Sequence, residues 1–341
     1  MLQTVSKIAR QGSGTVTDES GPEDPSVAAA KTRRVEEKAL IAAPVATVRD
    51  IVVDVEAWPQ VHRPAVHAEI LSSDDNGDLI QHWSIMDDST ARTWTSRRRV
   101  TESGEVRFAH EPADEPFASV AGGFEFEEQP DGGTLVRMYH EFILLRDDDT
   151  VAARRSDSMR RGSQEYLETL RFAAENAEDL RLRTITFEDP LFVAGSVADA
   201  YTYLYEADKW PERIPHVLRL DLEESMPNIQ FFDMDTRSAD GSEHTTRSVR
   251  ICLPGHKIVY KQTRPPKTLD AHTGHWLFTE TPEGLIVSAR HTATVRPAGL
   301  HLLGAGTKVE GARRYLRRVL SANSMGNLRL AKEYAEKLAG F

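Results

Sequence analysis

The stretch Thr93-Trp94-Thr95-Ser96-Arg97-Arg98-Arg99-Val100 carries the chain's densest chemistry and reads as a β-strand. Side chains alternate along a strand, so Trp94, Ser96 and Arg98 share one face while Thr95, Arg97 and Arg99 share the other. Two arginines suit a solvent face. The opposite face then turns an aromatic wall, a hydroxyl and a guanidinium toward the interior. An inward arginine is costly without a partner. It is either half of a structural ion pair or a grip for the oxygen atoms of a ligand. Recurrence of Ser-x-Arg at Ser248 and Arg250 favours the ligand, although Thr246 stands where Trp94 would be. In a dry cavity a forked, permanent charge stabilises negative charge developing on oxygen. A nearby hydroxyl can hydrogen-bond the same oxygen or relay a proton.

Other candidates leave two readings open. Trp58 and Trp210 either plug the core where helices meet sheet or stand at a cavity mouth, since tryptophan is amphipathic. Phe124 and Trp276 are wall candidates of the same kind. His272 titrates in the range useful for acid or base work, but a lone strand histidine is also a common structural residue. Several chemistries find no support. No Gly-rich phosphate loop follows a strand, no Gly-x-Ser-x-Gly elbow occurs, and Cys252 has no evident activating partner. His256, His272, His275 and His291 lack the spacing of a zinc motif. Chemistry without cofactor or metal, or plain binding, remains.

The elements that must position these groups occur twice. A constant offset of 152 residues superposes Trp58-Pro59 on Trp210-Pro211, Ser96-x-Arg98 on Ser248-x-Arg250, and Gly122 to Phe126 on Gly274 to Phe278. One extra glycine in Asp131-Gly132-Gly133 slips the offset by one, putting His140 on His291. Within each copy a strand precedes a short amphipathic helix with Val45, Val48, Ile51 and Val52 on one face, matched by Val197, Ala200, Tyr203 and Leu204. Trp58-Pro59 reads as the end of a second short helix, because a residue before proline is pushed from the helical region. Strands separated by turn residues follow, and a long helix closes each copy, at about 151–177 and 308–338. This order predicts an α+β chain of tandem helix-grip domains, each a curved antiparallel sheet around a long C-terminal helix, with a cavity between them. The expected boundaries are a disordered leader over 1–34, domains over 35–178 and 184–341, and a linker near Asp179 to Arg183.

Composition sets the outer limits. The chain has 341 residues, 40% hydrophobic and 28% charged, enough for two cored domains. A net charge of −11 argues against general nucleic-acid binding. No apolar run spans a bilayer and no signal peptide opens the chain, which points to the cytoplasm. Basic clusters at Arg154-Arg155 with Arg160-Arg161, and at Arg313-Arg314 with Arg317-Arg318, are either solvated helix faces or a dock for a small acidic partner.

Glu56-Ala57-Trp58-Pro59 after an amphipathic helix, then Trp94-Thr95-Ser96-Arg97-Arg98 on a strand, resembles the aromatase/cyclases of bacterial type II polyketide synthases. With Trp210-Pro211 and Ala271-His272-Thr273-Gly274-His275-Trp276, residues 35 to 340 resemble their two-domain subclass. The resemblance implies regiospecific aldol closure and dehydrative aromatisation of the first ring of a poly-β-ketone tethered to an acyl carrier protein, alongside other synthase components. It maps pocket residues onto Trp58, Trp94, Ser96 and Arg98. A single-domain relative has a tyrosine shortly after the Trp-Pro, where this chain reads Gln60-Val61-His62-Arg63-Pro64-Ala65. That argues against a phenol as the acid in the first copy and leaves His62 as its stand-in. Two copies suggest either cyclisation in one pocket and dehydration in the other, with His272 serving the latter, or one catalytic pocket and one structural partner. The competing reading is a carrier for a hydrophobic small molecule.

Overall fold

Alternation starts the first sheet. In β1 (Arg33–Ile41), Val35 and Ile41 are buried while Arg34, Glu36, Lys38 and Leu40 face solvent. The computed structural model describes residues 31–237, 241 and 243–341. Most of the expected leader, 1–30, lies outside them, and β1 begins two residues ahead of the expected Val35.

After β1 come α1 (Val45–Val53) and α2 (Trp58–Val61). Six strands follow: β2 (Ala65–Asp74), β3 (Gly77–Ile85), β4 (Ala91–Val100), β5 (Val106–His110), β6 (Phe117–Glu128) and β7 (Thr134–Leu144). The long helix α3 (Asp149–Glu175) closes the unit. The sheet is antiparallel in the order β1-β7-β6-β5-β4-β3-β2. Val48 and Val52 of α1 and Leu167 and Leu170 of α3 bury against Phe124 and Val136 of the sheet. The Asp148 carboxylate accepts from the Thr150 and Val151 amides, which starts α3 before the expected Val151.

The second unit repeats the plan with β8 (Thr184–Val193), α5 (Val197–Tyr205), α6 (Trp210–Arg213), β9 (Val217–Met226), β10 (Ile229–Arg237), β11 (Glu243–Leu253), β12 (Lys257–Arg264), β13 (Leu269–Thr281), β14 (Gly284–Val295) and α7 (Val309–Ala339). Its sheet runs β8-β14-β13-β12-β11-β10-β9, the same order as the first. Each unit is the α+β helix-grip expected. Among the described residues no helix is long and apolar enough to cross a membrane.

Three local expectations are corrected. Trp58-Pro59 and Trp210-Pro211 open α2 and α6 and do not end a helix, since proline in a first turn forfeits no helical hydrogen bond. Asp179 to Arg183, read as a linker, lies in α4 (Ala177–Arg183) and leads directly into β8. Buried Arg183 donates to Asp179 and Asp270 at 2.7 Å each and to the Val295 carbonyl at 2.7 Å, so α4 is tied to the second sheet. Finally, the segment from Gly123 to Glu128 reads as a strand led by glycine, whereas β6 begins at Phe117.

The small residues that hide the start of β6 have a packing reason. A Cβ on Gly122 would lie 2.3 Å from the Tyr139 carbonyl oxygen and 2.6 Å from the Phe108 ring. Gly274 stands equally close to the Arg290 carbonyl oxygen and the Tyr260 hydroxyl, at 2.2 and 2.3 Å. An aromatic residue paired on the neighbouring strand thus leaves no room for a Cβ at either glycine. Gly122→Ala should cost about 1–3 kcal/mol through overpacking, read as a lower urea midpoint at unchanged m-value.

Candidate active site

The first sheet and α3 enclose a cavity of about 500 Å³. The β4 alternation puts Trp94, Ser96 and Arg98 on its wall, with Trp58 from α2 and Phe124 from β6. Exposed Met86 from the β3–β4 connection and Arg92 at the start of β4 line it together with exposed Ser158, Gly162 and Glu165 of α3, which mark its mouth. Trp58 packs against the core and also lines the cavity. Its indole donates to the Ile51 carbonyl at 3.1 Å, and its ring packs against His82 at 6.0 Å and Tyr166 at 5.6 Å.

Register brings in residues that the sequence reading passed over. Cross-strand pairing sets His82 beside Trp94, and Ser96 beside His110. The His82 ring stacks on Trp94 at 4.8 Å, and Trp94 lies 6.2 Å from His110. His82 Nε2 is 2.8 Å from Ser96 Oγ. His140 joins from β7, 3.4 Å from the Ser163 hydroxyl. Burial holds all three imidazoles neutral, pulling each down to about 4. A signal existed, because His82 and His110 fall on the inward face once the two hairpins are paired in register.

Arg98 is both tied and available. It is 8% exposed and donates to Asp78 Oδ2 at 2.7 Å and to the Val53 carbonyl, at the end of α1. Its buried Nε–H has no partner among the described residues. The two terminal nitrogens are thus committed to Asp78 and Val53, while Nε is not. The chain also has the phenol that the segment after Trp58-Pro59 lacks, since Tyr166 reaches the cavity from α3. It packs against His62 at 5.2 Å and Phe124 at 5.4 Å. Burial pushes its hydroxyl well above the usual tyrosine range, so it stays protonated.

The second unit's candidates meet in packed interior. Arg250, 1% exposed, spends all three nitrogens on Gln230 and the Leu204 and Tyr205 carbonyls, between the rings of Trp210 and Phe232. Trp210 packs edge-on against Trp276 at 5.9 Å. The larger Phe232, Tyr260 and Trp276 occupy the positions of Ile80, Phe108 and Phe124, and their rings converge on one another through Trp210 and Trp276. Ser248 is buried without a histidine beside it, because Met234 stands where His82 would. His272 is buried in a network, 2.9 Å from Gln262 Oε1 and 3.1 Å from His291 Nδ1, with Tyr260 bridging to His291 at 2.7 Å. Burial, with help from His291, pulls it down to about 3.

Known proteins match this arrangement. A family described as "Polyketide cyclase / dehydrase and lipid transport" matches residues 32–175. The granaticin polyketide synthase bifunctional cyclase/dehydratase of Streptomyces violaceoruber is 35% identical over 307 residues, 89% of this chain and 94% of that one. The actinorhodin polyketide synthase bifunctional cyclase/dehydratase of Streptomyces coelicolor is 36% identical over 301 residues, 85% of this chain and 92% of that one. This chain belongs to the polyketide synthase bifunctional cyclase/dehydratases. A crystal structure of the di-domain ARO/CYC StfQ from the steffimycin biosynthetic pathway superposes on this cyclase/dehydratase with a TM-score of 0.80. It has 52% identity, over 90% of this chain and all of that one. The di-domain ARO/CYC BexL, from the BE-7585A biosynthetic pathway, gives 0.80 at 34% identity, over 89% and 99%.

The imidazoles of this cyclase/dehydratase make an acid-sensitive fold. An unfolded chain protonates them near 6.5, and the folded one only near 4. Between those values the unfolded state binds more protons, so stability is full above pH 6.5 and falls as pH drops toward 4. Tm measured across that window should decline in the wild type and less steeply in His140→Gln. A slope unchanged by that substitution would place the sensitivity elsewhere.

Proposed function

We propose that the first unit's cavity folds a poly-β-ketone tethered to an acyl carrier protein, closes its first ring by aldol addition and dehydrates that ring to an aromatic one. The observation that carries this reading is the buried His82–Ser96 pair beside the spare Nε–H of Arg98, on one wall of a cavity sized for a folded chain.

Neutral His82, directly or through Ser96, takes a proton from a methylene flanked by carbonyls, leaving an enolate. The enolate carbon attacks a distant carbonyl carbon, whose oxygen becomes an alkoxide. Arg98 steadies the negative oxygen, and the phenol of Tyr166 or the new imidazolium returns a proton to it. Removal of a second methylene proton then expels the hydroxyl as water, and tautomerisation completes the aromatic ring. Stacked Trp94, with Trp58 and Phe124, restricts the chain so that the intended carbons meet. At the mouth, Arg92 and Arg155 present positive charge toward an acidic carrier protein in the cytoplasm.

Ser248, Arg250 and His272 act in this reading as framework for the second unit. Product analysis with a carrier-bound chain generated in place tests both halves of the proposal. Ser96→Ala and His82→Phe should each lower aromatised product about 10²–10⁴-fold in folded protein. His272→Gln should leave the product profile intact and show only in Tm. If instead His272→Gln accumulates a cyclised, unaromatised intermediate, dehydration belongs to the second unit. If no first-unit variant alters the products, the carrier reading takes over.

A further inference from the structure

The second unit reaches into the first through one buried cation. Lys261, on β12, is 7% exposed, and its ammonium donates to the carbonyls of His62 at 3.0 Å, Arg63 at 2.8 Å and Ala65 at 2.8 Å. An ammonium has three N–H donors, so these bonds use the full set. No carboxylate lies within ion-pairing distance among the described residues. Desolvating a cation in this way is costly, and main-chain oxygens alone offset it. Such an arrangement is needed only if something must be held there.

What it holds is the crossing from α2 to β2. That segment lends His62, Pro64 and Ala65 to the cavity lining, and His62 packs edge-on against Tyr166. Gln60, just before it, donates to the Thr292 carbonyl at 2.9 Å and to the Thr273 hydroxyl, adding a second tie to the same partner. The ties have no counterpart at the equivalent crossing of the second unit. At the position of Lys261 the first unit has Ala109, and at the position of Gln60 the second has exposed Glu212. Lys257, four residues earlier on β12, also crosses, but its partner is Glu69 at 2.8 Å, which does not line the cavity.

We propose that Lys261 is a positioning residue for the reaction: through it the second unit fixes the His62–Ala65 wall of the first unit's cavity, and so governs which carbons of the folded chain meet. This rests on the reading that the first cavity is the reaction site. A wall released by even an ångström loses the close approach on which ring closure depends.

The test compares Lys261→Met with Lys257→Met in the full chain, by product distribution and by hydrogen exchange at the Ala65 amide. Lys261→Met should fold, exchange faster at Ala65, and lower the correctly cyclised product about ten- to a hundred-fold in favour of spontaneous products. Lys257→Met should weaken the same interface yet keep the wild-type profile. If Lys261→Met keeps the wild-type profile, or Lys257→Met shifts products equally, the inference is overturned. Ser96→Ala in the same assay separates the two failures. If it too leaves products unchanged, the cavity assignment itself has failed. Should Lys261→Met not fold, Lys261→Gln, which keeps two donors, is read by the same criteria.

Discussion

Each unit is held shut by a guanidinium passing from the sheet into the end of a helix. Arg98 reaches the last carbonyl of α1 at Val53, and Arg250 reaches the Leu204 and Tyr205 carbonyls at the end of α5. The end of a helix carries unsatisfied carbonyls and a partial negative charge, and arginine does not lose its proton. A partner opposite on the next strand, Asp78 in one case and Gln230 in the other, fixes the fork. The helix carries Trp58 or Trp210 behind it, so the position of the tryptophan follows from that of the arginine.

The two units diverge through a few volumes and one charge. Asp78 and the Val53 carbonyl take the two terminal nitrogens of Arg98 and leave Nε without a partner, whereas Gln230 and two carbonyls occupy all of Arg250's nitrogens. Of the three enlarged side chains, Phe232 lies against Arg250, and Tyr260 and Trp276 pack beyond Trp210. A single scaffold yields a hollow with an available donor in one copy and a dense core in the other. No rearrangement of strands is required.

Much of this was legible from residue order. The repeat offset gives two sheets of the same order, and alternation in β4 correctly turns Trp94, Ser96 and Arg98 inward. The histidines were hidden because each looks like a lone strand residue until register joins positions fourteen apart, such as His82 with Ser96. Tyr166 was hidden because a tyrosine on a long helix reads as core packing, and nothing local says that its helix floors a cavity. Trp58-Pro59 misled because proline is a stop signal inside a helix and a start signal in its first turn. The filled second interior was beyond reach, since only packing reveals that Phe232, Tyr260 and Trp276 converge.

The grip of Lys261 falls on main-chain oxygens, which every residue type supplies. Side chains at positions 62, 63 and 65 can therefore be exchanged without loosening the clamp. One face of the first unit's cavity is in this sense an interchangeable panel in a rigid frame. A lineage could re-shape it for a longer or differently folded chain by point substitution while the frame stays as it is.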